Sequence, residues 1–145
     1  MKIRKATKKD LKEMFEIIKL NSPNYQKNLA ENEIKEMFSK ALIKPIYFVV
    51  EDNGKIVAFN GFIHSWVDNM VVDLFWVNTH PDYKGKGIQG KLINHVIKNI
   101  KKIKKPKVRM IIISTKIPSF FKKFGFKIIT DKYDRDYVLM GMKLR

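Results

Sequence analysis

The sequence predicts a single α/β domain, residues 1–145, in which a mixed β-sheet is flanked by helices. Two strand patterns meet at Asp52-Asn53-Gly54, a strong hairpin signal, so the first part of the sheet is expected to be antiparallel. A further strand, 71–79, leads through a glycine loop into an amphipathic helix and then into another apolar strand. Because a helical crossover usually joins parallel strands, the sheet is expected to be mixed. The chain has the length of one domain, and no linker interrupts it.

The other elements follow from local patterns in chain order. Thr7 and Asp10 form a box-like cap for the first helix. Pro106 stops the helix that follows the glycine loop, and Gly125 ends a short helix that Pro118 begins. The predicted order is strand 2–6, a helix after Thr7, helix 29–42, strands 46–51, 55–64 and 71–79, a helix from Ile88, strand 108–114, helix 118–124 and strands 127–130 and 137–143, the last two joined by a linker at 131–136.

Composition narrows the class of protein. Cysteine is absent, which excludes disulfides, cysteine zinc sites and an acyl-cysteine intermediate. No apolar run approaches the length of a membrane span, and the first ten residues lack the apolar region of a secretory signal. We therefore expect a cytoplasmic protein without a membrane partner.

The loop between strand 71–79 and the next helix is the most informative motif. A strand, a glycine loop and a helix in this order favour an anion, since glycines let the backbone approach and the first helical N–H groups point at it. Gly85-x-Gly87-x-x-Gly90 matches the dinucleotide fingerprint. However, five residues separate it from the strand, and no acid follows at the distance needed to hold a ribose.

Two other interpretations do not require a dinucleotide. The segment from Gly85 to Lys91 nearly matches a P-loop, but Leu92 stands where a serine or threonine must hold magnesium. A tight turn before a helix, without any ligand, is the alternative that a glycine loop alone leaves open.

A family resemblance supports a fourth interpretation. Pro81-x-Tyr83-Lys84-Gly85-Lys86-Gly87-Ile88-x-Gly90-x-Leu92 resembles the acetyl-CoA loop of the GNAT family of N-acetyltransferases. The family pattern is Gln or Arg, two residues, Gly, one residue, then Gly or Ala. Lys84 takes the first place, Gly87 the fourth, and Gln89 the sixth, where a small residue is usual. A second segment, Phe-Phe-Lys-Lys-Phe-Gly-Phe at 120–126, resembles the family's Phe-Tyr-x-Lys-x-Gly-Phe.

The resemblance implies a GNAT-type fold, with acyl-CoA entering between the central strand and the strand after the loop helix. It implies acetyl-CoA as co-substrate and no metal. By position, the Val77 N–H would polarise the acetyl carbonyl, and the Thr79 backbone would hold the pantetheine arm. The residues that would bind the co-substrate are Val77, Thr79, Lys84, Gly85, Lys86, Gly87, Ile88, Gln89, Gly90 and Phe121.

Charge is concentrated in the half of the chain that holds this loop. Residues 84–130 contain thirteen lysines, one arginine and no acid, in a chain of net charge +16. A positive field would raise the local concentration of an anion such as CoA. A lysine-rich composition without a dedicated partner explains the same excess. Lysine far outnumbers arginine, which argues against a reader of nucleic-acid bases.

Asp73 is the strongest candidate for a catalytic side chain, because it is the only acid in an apolar strand. It stands eleven residues before Lys84, where histone-type members of the family carry a glutamate as general base. Partial burial would raise its pKa towards neutrality, as a base requires. A structural Asp, paired with a lysine or exposed on a strand face, is the alternative. His64 and His80 are weaker candidates.

Phe121 departs from the family, which often has a tyrosine there to protonate the leaving thiolate. Hydroxyl groups that might replace it are those of Ser114, Ser119, Tyr133 and Tyr137. The loops 21–27 and 131–136 would frame the acceptor, and the second contains three aspartates suited to a cationic amine.

The sequence therefore predicts an N-acetyltransferase that moves acetyl from acetyl-CoA directly to a primary amine, on a small molecule, a polyamine or a protein. A GNAT-like domain that binds nucleic acid through residues 84–130 is the main alternative. A catalytically silent CoA-binding regulator is the other. The expected partner is the amine acceptor, nucleic acid being less favoured, and the chain is expected to be a monomer or homodimer.

Overall fold

The structure, a computed structural model, describes the backbone of residues 1–145 and every side chain except those of Lys27 and Lys132. Strands and helices follow the predicted order and form a mixed sheet flanked by helices, which confirms the predicted fold class. The elements are β1 (Lys2–Lys5), α1 (Leu11–Asn21), α2 (Lys27–Lys35), β2 (Ile46–Asp52), β3 (Lys55–His64), β4 (Val71–Thr79), α3 (Ile88–Lys101), β5 (Met110–Thr115), α4 (Pro118–Lys122), β6 (Lys127–Asp134) and β7 (Tyr137–Lys143).

The seven strands form one sheet in the order β1-β2-β3-β4-β5-β7-β6. Every neighbouring pair is antiparallel except β4 and β5, which are parallel and joined through α3. The Asp52-Asn53-Gly54 turn closes the β2–β3 hairpin as predicted, with Asn53 and Gly54 both at positive φ.

Helices cover both faces of the sheet, so the core has two layers. Against one face, the apolar stripe of α3 packs on alternate residues of β4, such as Val72 and Leu74. Against the other, α1 and α2 cover Tyr47 and Phe59. Gly61 makes this second layer possible, because a Cβ there would collide with the Tyr47 ring. Among the described helices, none is long and apolar enough to cross a membrane.

Two predicted boundaries are wrong by more than two residues. The second helix ends at Lys35 and continues as one 3-10 turn, and Leu42 is 90% exposed instead of buried. Ser39 explains the early end, since its hydroxyl bonds both the carbonyl and the carboxylate of Glu36 and so competes with the helix. In the second case, β6 extends to Asp134, so most of the predicted linker 131–136 is strand.

Candidate functional site

A cleft opens in the middle of the sheet where β4 and β5 separate. The two strands pair over only three positions, ending at Asp73 opposite Ile112. Beyond that point β4 continues to Thr79 and β5 to Thr115 without pairing to each other. The gap holds a cavity of about 530 Å³, lined by both strands, by Phe121 of α4 and by Tyr137 of β7. An open strand edge of this kind offers backbone N–H and C=O groups to an extended ligand.

A β-bulge shapes the β4 wall of the cleft. Phe75 pairs with Gly61 and Asn78 with Phe59, so Trp76 and Val77 together face the single residue Asn60. Trp76 has φ 52°, which is strained for an aromatic residue. Because a bulge leaves one residue outside the ladder, this is where a strand N–H becomes available.

Asp73 lies at the apex of the cleft, where the parallel ladder ends. It is half-buried, and its Oδ1 atom is buried without a hydrogen-bond partner among the described residues. Burial raises the pKa of the Asp73 carboxyl above its ordinary value. An unpaired, partly desolvated carboxylate that faces a cavity is suited to accept a proton.

The glycine loop begins with a 3-10 turn, Pro81–Tyr83, and ends at α3. Gly85 and Gly87 have φ of 79° and 74°, and a Cβ at either position would meet open space. The backbone conformation, rather than crowding, therefore requires glycine there. Gly87 is the N-cap of α3, so the first N–H groups of the helix face the loop without intrahelical partners. Lys84 and Lys86 are both exposed beside it.

Gln89 shows why a larger residue stands where the family prefers a small one. Its amide nitrogen donates to the Asn78 carbonyl at 2.9 Å and to Thr79 Oγ1 at 3.2 Å. Its Oε1 atom accepts from Asn60 Nδ2 at 3.1 Å, and Asn60 is fully buried. Gln89 therefore points into the protein and fastens the start of α3 to the bulge.

Gln89→Ala is expected to lower the free energy of unfolding by about 1–3 kcal/mol, because it leaves buried amide and carbonyl groups of β3 and β4 unpaired. Urea titration would measure this, with Lys91→Ala, an exposed change on the same helix, as the control. An equal effect of the two changes would contradict this role for Gln89.

Thr79 has one of its two backbone groups already engaged. Its carbonyl accepts from Asn21 Nδ2 at 2.9 Å, which ties the end of α1 to the end of β4. The His80 N–H bonds the Val57 carbonyl, so Thr79 and Ala58 form a non-hydrogen-bonded pair. The Thr79 N–H therefore points away from β3, towards the side on which β4 has lost its other neighbour.

Phe121 lines the cleft but is also core, at 2% exposure. Its ring packs edge-on against Phe120 and Phe126, with centroids 5.0 and 5.9 Å apart. Of the candidate hydroxyls, Ser114 and Tyr137 line the cleft, and Tyr133 bonds Ser114. Ser119 is exposed on α4 and does not line it. The structure thus brings three of the four candidates to the cleft region.

For the acetyl transfer that the family resemblance implies, Phe121→Tyr is expected to change turnover less than about tenfold. Ordinary thiols have pKa near 8.5, so the CoA thiolate is a good leaving group even without a proton donor. Phe121→Ala should instead cost about 3–5 kcal/mol of stability through the cavity it leaves. Steady-state rates on one amine at saturating acetyl-CoA would measure the first effect, and thermal unfolding the second. Activity seen only in the tyrosine variant would show that the parent chain is a silent binder.

The two histidine candidates lie outside the cleft. His64 Nδ1 is 2.8 Å from the Asn69 carbonyl oxygen, in the β3–β4 connection. His80 Nδ1 accepts from the Asp82 N–H at 3.1 Å and starts the 3-10 turn. Of these three candidates, Asp73 lines the cavity and the two histidines do not.

The comparisons with known proteins agree with this geometry. A family profile described as "Acetyltransferase (GNAT) domain" matches residues 44–128, which include the bulge, the glycine loop and both strands that border the cleft. The chain belongs to the GNAT acetyltransferase family. No curated protein matches the sequence significantly.

Solved structures of GNAT-type acetyltransferases share the fold over nearly their whole length. The aminoglycoside 6'-N-acetyltransferase of Enterococcus faecium has 15% identity and a TM-score of 0.78, with 99% of this chain and 97% of that chain covered. A Thermoplasma acidophilum PaiA N-acetyltransferase in complex with coenzyme A has 20% identity and a TM-score of 0.73, covering 99% and 98%. An IAA acetyltransferase of Bacillus cereus has 13% identity and a TM-score of 0.74, covering 99% of each chain.

GNAT enzymes use acetyl-CoA. The described residues of this GNAT chain form a glycine loop, an open strand edge and a cleft. Among the described side chains, no group of three or more His, Asp or Glu comes together as metal ligands would. Sequence reasoning missed the buried Asn60 and the inward role of Gln89. An unusually large residue in the glycine loop was the one signal that pointed to the last.

Proposed function

We propose that this GNAT chain transfers acetyl from acetyl-CoA directly to a primary amine, with Asp73 as general base and the Val77 N–H as the donor to the carbonyl oxygen. One observation carries the proposal. The parallel ladder ends at Asp73, so the open edge of β4, the bulge and an unpaired carboxylate line one cavity, and β4 leads from this cavity to the glycine loop.

The glycine loop suits the pyrophosphate of CoA. The exposed N–H groups at the start of α3 and the positive end of the helix dipole favour an anion there. All thirteen lysines and Arg109 of residues 84–130 are exposed. Their field adds long-range attraction that salt will screen.

Along β4, the Thr79 N–H and the bulge at Trp76 and Val77 suit the amide groups of the pantetheine arm and the thioester carbonyl. A backbone N–H that already points at a developing oxyanion stabilises it without any rearrangement of the protein, which is why such donors are effective. The place of Val77 in the bulge and among the residues that line the cleft supports its assignment as the donor.

Asp73 would take the proton from the ammonium form of the acceptor, or from its nitrogen during attack. The nitrogen forms a bond to the carbonyl carbon, and the bond from that carbon to sulfur breaks. The departing thiolate takes a proton from solvent or from the Tyr137 hydroxyl, which lines the same cavity. Since the chain has no cysteine, the reaction proceeds without an acyl-cysteine intermediate.

Two measurements test the proposal. Calorimetry is expected to show that acetyl-CoA binds and NADH does not. Thiol release in a panel of amines, polyamines and peptide N-termini is expected to show turnover with at least one acceptor. Binding of NADH alone would reject the assignment of the loop, and acetyl-CoA binding without turnover on any amine would indicate a silent regulator.

One observation favours a second function, the nucleic-acid role. Within the described side chains, none of the fourteen exposed cations of residues 84–130 pairs with a carboxylate. If these charges serve CoA alone, RNA should bind weakly and dissociate at moderate salt. Tight RNA binding that survives such salt would favour the nucleic-acid role.

A further inference from the structure

Aromatic side chains and a carboxylate meet behind the β4 wall of the cleft, on the side of β4 that α1 and α2 cover, and Trp76 is the one of them that lines the cleft. The Trp76 ring packs edge-on against the Tyr25 ring, with centroids 5.0 Å apart and planes at 75°. The Trp76 indole N–H donates to Glu33 Oε2 at 2.8 Å. Tyr25 comes from the α1–α2 connection and Glu33 from α2, so three separate segments meet at this point.

Among the described residues, Glu33 accepts a hydrogen bond from Trp76 alone. It is half-buried, and its partner is a neutral indole N–H. Among the described side chains, no Lys, Arg or His stands within ion-pair distance of it. The pKa of the Tyr25 phenol is raised, first by burial and then by the nearby Glu33 carboxylate.

A third ring lies close by and already contacts a cation. Tyr137 lines the same cavity as Trp76 and Asp73. The Lys116 ammonium stands 5.1 Å from the centroid of the Tyr137 ring. Aromatic faces attract cations in this distance range, so the protein itself uses the ring in that way.

We infer that Tyr25, Trp76 and Glu33 form a subsite for a second ammonium group on the acceptor, so that small aliphatic diamines are preferred over monoamines. The inference rests on the proposed function for the place of the reacting amine, beside Asp73. Trp76 is three residues from Asp73 along β4, roughly 10 Å, which a short aliphatic chain spans. A neutral acceptor would gain the contact with the rings but nothing from the carboxylate.

A purely structural role for the same residues predicts a different experimental result. If the bond from Trp76 to Glu33 only fastens α2 to β4, removing the charge of Glu33 while keeping an acceptor oxygen should not change which amine binds. Glu33→Gln does this, since the amide oxygen of glutamine still accepts the indole N–H. Glu36→Gln removes an exposed charge just after α2 and serves as the matched control.

The experiment compares 1,5-diaminopentane with n-pentylamine, which has the same chain and one ammonium group. Calorimetry with the CoA-saturated protein is expected to show about tenfold or more tighter binding of the diamine, from one ion pair and one cation–π contact. Glu33→Gln should remove that preference and leave n-pentylamine unchanged, whereas Glu36→Gln should keep it.

Equal affinity of the two amines in the parent, or a preference that survives Glu33→Gln, would overturn the subsite. Because binding is measured without turnover, the outcome does not depend on catalysis. A diamine preference together with no acetyl transfer to either amine would reject the proposed function and leave the subsite standing.

Discussion

Asp73→Asn is expected to lower turnover by about 10²-fold or more, the usual loss when a general base is removed. Asparagine has nearly the same shape but cannot take a proton. The change should act on kcat, while calorimetry of acetyl-CoA should be unaffected, because Asp73 lies at the apex of the cleft and away from the glycine loop. Asp73→Glu, which restores the residue usual in histone-type relatives, should recover part of the activity.

The rate should also depend on pH in a defined direction. Burial raises the pKa of Asp73, and only its ionised form can accept a proton. The rate should therefore fall as the pH falls through that raised pKa, and this acidic limb should be missing in Asp73→Asn. A limb that persists in the variant would assign it to another group.

Asp73→Asn should stabilise the folded protein at neutral pH, although it lowers turnover. The pKa of Asp73 lies above its unfolded value of about 3.9, so the folded state holds the proton more tightly. The contribution of Asp73 to stability is therefore lost as the pH rises through the folded pKa, and the ionised form destabilises the fold at neutral pH. Asp73→Asn should raise the urea midpoint at pH 7, with the difference shrinking towards about pH 4. Exposed Asp136→Asn serves as the control.

The sequence alone predicted most of the fold, because the strongest signals were local. The β2–β3 hairpin needs only Asn53 and Gly54, and β4 needs only a run of apolar residues that a proline stops. The extension of β6 was missed because residues 131–134 are polar and owe their strand geometry to pairing with β7. Polar residues on an edge strand look like a loop when the partner strand is unknown.

Within the candidate site, the sequence could predict only the residues that lie along a single strand. Asp73 stood out as a lone acid, and the structure puts it where the parallel ladder ends. By contrast, Tyr25, Glu33 and Trp76 come from three segments, and nothing in their spacing shows that they meet. The bulge at Trp76 depends on the register of β4 against β3, which sequence does not specify.

Gly87→Glu is expected to weaken acetyl-CoA binding by about 10²-fold, the second large effect. Gly87 is the N-cap of α3 at φ 74°, and a side chain there would point into open space beside the first N–H groups of the helix. A glutamate would place a negative charge where the pyrophosphate is proposed to lie. At an effective dielectric constant of about 20, two like charges about 5 Å apart repel by roughly 3 kcal/mol, or about 10²-fold in affinity.

Backbone strain must be separated from charge in this experiment. Gly54 has almost the same φ, 78°, and equally open space, but it lies in the β2–β3 hairpin. Gly54→Glu therefore carries the same strain and the same charge outside the loop, and should leave acetyl-CoA affinity nearly unchanged. Gly87→Ala adds the strain without the charge and should fall between Gly87→Glu and the parent. Rising salt should narrow the gap between Gly87→Glu and Gly87→Ala, because screening acts on the charge alone. If both glutamate variants lose affinity equally, strain or global charge is the cause, and the loop is not the pyrophosphate site.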